Sequence, residues 1–184
     1  HNDNVRFIAA NSINWARCMT QSVYFFWTYL NLPELKRDIT FSIPSGNFGH
    51  AYAGWTAKEM GLPIDKLLIA TNTNDVLHQT FSTNNYAKTN VVQTLAPSMD
   101  ISVASNFERL LYNLYDDDSS LLAKNMRTFP ERSIDIPEDK KEIVSSFFKS
   151  FKSNDQEILA QINETHSKTG YILDPHTATG VRAS

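Results

Sequence analysis

Apolar residues recur at helical spacing through Ile13, Ala16, Val23, Tyr24, Trp27 and Leu30, which predicts a long amphipathic helix over residues 11–30, with Asn11 or Ser12 placed to cap it. After Pro33 and a charged turn the period changes to two: Asp38-Ile39-Thr40-Phe41-Ser42-Ile43 alternates polar and apolar side chains and reads as a strand ending at Pro44. Residues 51–60 return to a helical pattern that Gly61 can close. A short connection, 64–66, leads to Leu67-Leu68-Ile69-Ala70, an unbroken apolar run of the kind buried on both faces of a parallel sheet. Helix, strand, helix, strand is α/β order.

Further along, residues 76–81 read as a helix and 82–104 as irregular. Ser105-Asn106-Phe107-Glu108 has the form of a capping box ahead of a helix that buries Leu110, Leu111 and Leu114. Helices are then expected over 119–126, 137–151 and 155–167, the last closed by Gly170, so that about 106–169 reads as a helical covering layer. Tyr171-Ile172-Leu173 is a short predicted strand that hands over to a helix opening at Pro175.

The chemistry gathers where strands meet helices. Pro44-Ser45-Gly46-Asn47-Phe48-Gly49 joins a strand to a helix N-terminus, where unpaired backbone N–H groups and the positive end of the helix dipole favour an anion such as phosphate. Ser45 and Asn47 add polar groups; the plainer alternative is an ordinary turn in which Ser45 caps the helix. Neither GxxxxGK[ST] nor GxGxxG is present, which argues against a nucleotide cradle. Asn72-Thr73-Asn74-Asp75 follows the second strand, so it either shares a crevice with the first loop or caps the next helix. His176 is either a general base or a satisfied structural residue. No G-x-S-x-G elbow supports a serine triad.

Composition narrows the classes. The 184 residues are 41% hydrophobic, enough for one core or for a lobe of a larger protein. A net charge of -3 without a basic, aromatic-interleaved patch argues against nucleic acid. Cys18 is the only cysteine, which rules out an internal disulfide and reads as a small core residue; the run Asp116-Asp117-Asp118 reads as a solvated helix end, and no metal is assigned. Arg109 reads as an exposed or structural ion-pair partner. No apolar run has the ~20 residues of a membrane span, so the expectation is a soluble, cytoplasmic protein with no membrane partner; monomer and homodimer stay open.

Several stretches together resemble threonine synthase, in order: Asn11-Ser12-Ile13-Asn14-Trp15-Ala16-Arg17, Pro44-Ser45-Gly46-Asn47-Phe48-Gly49, Ala70-Thr71-Asn72-Thr73-Asn74-Asp75, Ser98-Met99-Asp100-Ile101 with Ser105-Asn106-Phe107-Glu108-Arg109, and Asp174-Pro175-His176-Thr177-Ala178. The resemblance covers nearly the whole chain. It implies the α/β fold of a fold-type II pyridoxal-phosphate enzyme, with a parallel-sheet three-layer core. It also implies the conversion of O-phosphohomoserine and water to threonine and phosphate. By that resemblance Ser45, Gly46, Asn47, Phe48 and Gly49 cradle the phosphate of pyridoxal 5'-phosphate. Thr177 faces the pyridine nitrogen and, as a neutral hydroxyl, leaves it largely unprotonated, while Asn11, Ser12 and Arg17 line the substrate side.

Two departures accompany it. The family's usual Asp after the phosphate loop is His50 here, a possible cation beside the phosphate. The family's Schiff-base lysine lies upstream of anything matched, and no lysine of this chain sits in such a motif, so residues 1–184 are expected to be a partial catalytic domain, incomplete at both ends and inactive alone. The alternative is a catalytically dead homologue that binds pyridoxal phosphate or a phosphorylated metabolite as a regulatory module. Another type II enzyme, a dehydratase or serine-type synthase, would share the phosphate loop but not the stretches 11–17 and 105–109.

Overall fold

The computed structural model describes residues 13–32 and 38–184. In chain order the elements are α1 Trp15–Leu30, β1 Ile39–Pro44, α2 Gly49–Glu59, β2 Ile64–Thr71, α3 Val76–Thr83, β3 Asn85–Tyr86, α4 Phe107–Leu114, α5 Ser119–Met126, β4 Ile134–Asp135, α6 Lys141–Phe147, β5 Phe148–Lys152, α7 Asp155–Thr169 and α8 Pro175–Ala183, with 3-10 turns at Pro97–Met99 and Glu138–Lys140.

Three strands form a parallel sheet in the order β1-β2-β5, and β3 and β4 pair antiparallel beside it. Parallel pairing puts the carboxyl ends of β1, β2 and β5 on one edge, which is where open α/β sheets bind ligands. β2 is the central strand, and Ile64, Leu67, Ile69 and Ala70 are fully buried in it, as a strand covered on both faces requires. Helices α2 and α6 supply Ala53, Ala57 and Val144 to the core, and the small alanines let the helix backbone come close to the sheet.

Several expectations change. Asn14, rather than Asn11 or Ser12, caps α1 by accepting from Ala16 N at 3.0 Å; Asn11 and Ser12 lie outside the described residues. β2 starts at Ile64, so 64–66 is strand and not connection. The helix expected over 137–151 ends at Phe147, and Phe148–Lys152 is instead the third parallel strand. The stretch 106–169 is therefore not purely helical: it delivers β4 and an outer strand of the main sheet. Residues 171–173 make no ladder among the described residues.

Candidate anion site at the carboxyl edge of the sheet

The chain leaves β1 at Pro44, and Ser45 N donates to Ala70 O of β2 at 2.9 Å, the last tie before the loop. Phe48 then takes a left-handed conformation (φ 62°, ψ 4°) and is itself the N-cap residue of α2, with no side-chain cap bond. Ser45 therefore does not cap the helix, and the plainer reading of this loop fails. A left-handed non-glycine residue costs roughly 1–2 kcal/mol. Phe48 is almost completely buried, with Phe107 edge-on at 5.3 Å and Phe148 at 5.9 Å, and burying a phenylalanine is worth about 1.5–3 kcal/mol before any ring-ring term. Packing outweighs strain, and it fixes the loop.

Among the described residues no hydrogen-bond acceptor meets the N–H groups of Gly46, Asn47, Phe48 or Gly49, and the Ser45 hydroxyl also lacks a partner. These donors stand at the uncapped N-terminus of an 11-residue helix. That is a fit for a phosphate: oriented donors, a helix dipole and no competing side chain.

The two glycines serve the protein side of the loop. A Cβ on Gly46 would lie 2.9 Å from Ser98 O and 3.1 Å from Met99 Cα, and one on Gly49 would lie 3.3 Å from Asn106 Nδ2. Glycine is required because neighbouring chain presses on the loop from behind.

That neighbouring chain is held by a polar web absent from the sequence reading. Asn106 N and Nδ2 both donate to Asn47 O, at 3.0 and 3.1 Å, and Ser105 Oγ donates to Asn47 Oδ1 at 3.2 Å. The expected capping box does not form, since α4 has Asn106 at its N-cap without a side-chain cap bond, and Ser105 reaches 58 residues back to the loop instead. Asn106 Oδ1 accepts from Arg109 Nε at 3.1 Å and from Cys18 Sγ at 3.4 Å. Arg109 also donates to Ile13 O at 2.7 Å and lies 5.4 Å from the Trp15 ring, so it is a structural clamp that uses hydrogen bonds and a ring face. Burial pushes the Cys18 thiol up, partly opposed by Arg109 and Arg17, which makes it an inert core group as expected.

Behind the second strand, Asn72 and Asn74 are buried and do neither job proposed for them. Asn72 Nδ2 donates to Asp100 Oδ1 at 2.7 Å and Thr94 Oγ1 at 2.8 Å; Asn74 exchanges bonds with the Val92 backbone and donates to Asp100 Oδ1 at 2.8 Å. Desolvation pushes the Asp100 carboxyl up, but the bonds from Thr94, Asn72 and Asn74 outweigh it and leave it below the usual carboxylate range. This web holds the Pro97–Met99 turn against Gly46. Asp75 pairs with Lys152 at 2.9 Å and accepts from Gln79 Nε2 at 2.7 Å.

The same turn reaches α8. Ser98 N donates to His176 Nε2 at 3.2 Å, while His176 Nδ1 lies 3.2 Å from Asp174 Oδ1, so both ring nitrogens are engaged and the structural reading of His176 holds over the general base. Asp174 caps α8 by accepting from His176 N and Thr177 N, and the exposed Thr177 hydroxyl donates to Asp174 Oδ2. The Thr177 hydroxyl bond leads the causes that hold the Asp174 carboxyl low. Gly180 packs on Pro44, and Ser42 Oγ donates to Gly180 O, so α8 is pinned to the strand that carries the loop. Loop, turn and α8 N-terminus thus form one assembly.

His50, the second residue of α2, has its pKa lowered by burial, its Nδ1 3.1 Å from Gln21 Oε1 and its ring 4.7 Å from Phe25. Burial thus disfavours the charged form of His50 and speaks against a cation beside the phosphate. Arg17 lies on α1, one turn before Gln21, and lines a cleft of about 400 Å³ with Thr20, Gln21 and Tyr24. Larger clefts of about 520 and 540 Å³ share Trp15, Tyr52 and Asn113, and none of Ser45 to Gly49 lines them. Size alone does not gather donors, and the loop is where unpaired donors converge. Among the described residues no group of three or more His, Cys, Asp or Glu could hold a metal, and no helix is long and apolar enough to cross a membrane.

Sheet, loop and covering helices have the α/β fold of type II pyridoxal-phosphate enzymes, as superposition on solved threonine synthases shows; a maize serine racemase chain, only 13% identical, shares the fold alone, with a TM-score of 0.56 over 89% of this chain and 41% of its own. No protein-family model matches the chain. Along nearly its whole length the chain is homologous to threonine synthases. The Pseudomonas aeruginosa threonine synthase is 42% identical over 180 residues, covering 97% of this chain and 38% of that protein. A Corynebacterium glutamicum threonine synthase is 39% identical over 187 residues, with 97% and 39% covered. The crystal structure of a pyridoxal-phosphate-bound threonine synthase from Brucella melitensis superposes with a TM-score of 0.89 at 43% identity, covering 95% of this chain and 38% of that one. The chain thus spans well under half the length of these relatives.

Proposed function

We propose that this chain is the phosphate-anchoring segment of a threonine synthase, which in the complete protein converts O-phosphohomoserine and water to threonine and phosphate with pyridoxal 5'-phosphate as cofactor. The observation that carries the reading is the set of unpaired N–H groups from Gly46 to Gly49 at an uncapped helix start, in a chain homologous to enzymes of that name.

In this reading the backbone of Gly46, Asn47, Phe48 and Gly49, with the Ser45 hydroxyl, holds the cofactor phosphate. Asn106 and Ser105 keep the loop in that shape before anything binds, so little is lost in ordering it. Thr177 would face the pyridine nitrogen; its hydroxyl proton, donated to Asp174 Oδ2 in the unliganded chain, would turn to that nitrogen if the nitrogen is to stay unprotonated. When bound, pyridoxal phosphate supplies a conjugated electron sink. Arg17, with Asn11 and Ser12, serves the anionic substrate. The lysine that carries the cofactor is not among the residues in these roles, so the isolated chain is inactive.

A chimera tests this: the chain replaces the homologous segment of the Pseudomonas aeruginosa enzyme, and phosphate release from O-phosphohomoserine is followed. Turnover by the chimera and none by the isolated chain supports the reading. Turnover by the isolated chain contradicts it, and a chimera that binds pyridoxal phosphate without turnover favours the catalytically silent binding homologue.

A further inference from the structure

Helix α8 starts beside the turn that backs the phosphate loop, and one side chain joins the two. The Pro97–Met99 turn has its own anchor, the Asp100 carboxylate, which accepts from Asn72, Asn74 and Thr94, and its Ser98 O stands against Gly46. Helix α8 is anchored separately and further along, by Gly180 against Pro44 and by Ser42 Oγ donating to Gly180 O. Among the described residues, the hydrogen bond that reaches from the first turn of α8 to the Pro97–Met99 turn is Ser98 N to His176 Nε2, at 3.2 Å. A backbone N–H can donate only to an unprotonated ring nitrogen, so the imidazole proton sits on Nδ1, which lies 3.2 Å from Asp174 Oδ1. Asp174 also accepts from Thr177 N at 3.2 Å and from the Thr177 hydroxyl. Ser98, His176, Asp174 and Thr177 therefore form one continuous hydrogen-bonded chain.

We propose that His176 is a positioning residue of the cofactor site: its Nδ1–H tautomer ties the backing of the phosphate loop to the carboxylate that holds Thr177, and so sets the separation between the phosphate end of the site and its ring end. The inference rests on the proposed function, which puts the phosphate at Gly46 to Gly49 and the pyridine ring at Thr177. Turn and helix keep their own anchors without His176, and a single bond at a half-buried side chain adds little to stability. Losing it unfolds neither element but frees one end of the site relative to the other. A ligand that spans both ends then meets a less preorganised site, whereas an anion held at one end does not.

The test uses the chimera with the Pseudomonas enzyme, stripped of cofactor, and measures binding of pyridoxal 5'-phosphate and, by competition, of inorganic phosphate. His176→Leu, which offers no acceptor, should weaken pyridoxal 5'-phosphate roughly three- to tenfold and leave inorganic phosphate within about twofold. His176→Gln keeps an acceptor for Ser98 N–H and should recover part of the loss. Equal weakening of both ligands, or no change in either, overturns the proposal and leaves the phosphate seat standing. Failure of the unsubstituted chimera to bind either ligand overturns the proposed function along with it. Should His176→Leu not fold, nitrogen-15 NMR of the histidine-labelled unsubstituted chimera decides, the His176 signal being the one missing from His176→Gln. A proton on Nδ1 and none on Nε2 is the expected result, and a ring protonated at Nε2 overturns the proposal.

Discussion

Asn106 holds Asn47 by two bonds to one oxygen, its own N–H and its side-chain amide both donating to the Asn47 carbonyl. The pair joins the start of α4 to the loop that opens α2, and it shapes the donors before any anion arrives. Replacing Asn106 with Ala leaves the backbone bond but strands Arg109 Nε and empties a fully buried site. The expected cost is about 2–3 kcal/mol in urea unfolding. Affinity for pyridoxal phosphate should fall with it; a variant as stable as the parent chain would show that this pair is incidental.

Phe48→Gly separates strain from packing. Glycine removes the left-handed penalty of roughly 1–2 kcal/mol but gives up a buried ring worth about 3–5 kcal/mol in truncation series. The variant should therefore be less stable by about 1–4 kcal/mol in urea unfolding. A gain in stability would mean that strain, not the aromatic cluster, governs the loop.

At Gly46 the obstacle is backbone. An added methyl would sit 2.9 Å from Ser98 O and 3.1 Å from Met99 Cα, and a turn tied to Asp100 cannot move aside cheaply. Gly46→Ala should cost about 1–3 kcal/mol, read from the thermal midpoint, and should disturb the contact of Ser98 with His176.

His50 predicts an acid limb in stability. Burial lowers its folded pKa, so the unfolded chain takes up a proton first as pH falls. Its contribution is full above the unfolded value, roughly 6.5, and is lost as pH drops through that value toward the folded one. His50→Gln should flatten the slope below about pH 6.5. An unchanged slope between the two proteins would assign the acid limb to other groups.

What was legible in the chain was local. The strand-to-helix handover at Pro44, the helix start after Asp174 and the apolar run of β2 depend on neighbours within a few residues, whereas the strand expected at 171–173 does not form among the described residues. The rest depends on partners far away. Phe147, Phe148 and Phe151 fit a helical stripe, and only pairing with β2 makes 148–152 a strand. Ser105 and Glu108 have capping-box spacing, yet the serine finds Asn47. Asn72 and Asn74 read as ligand or cap residues because nothing nearby announces Asp100, 28 and 26 residues on. The His50 position was readable as a departure, but its charge was not, since burial decides it.

The central claim is that the N–H groups of Gly46, Asn47, Phe48 and Gly49 receive the cofactor phosphate. Backbone amide chemical-shift mapping of the folded chain during titration with pyridoxal 5'-phosphate, and separately with pyridoxal, tests it directly. The account predicts saturable shifts centred on those four amides with pyridoxal 5'-phosphate and none there with pyridoxal. Shifts centred elsewhere, or the same shifts without the phosphate, would contradict it.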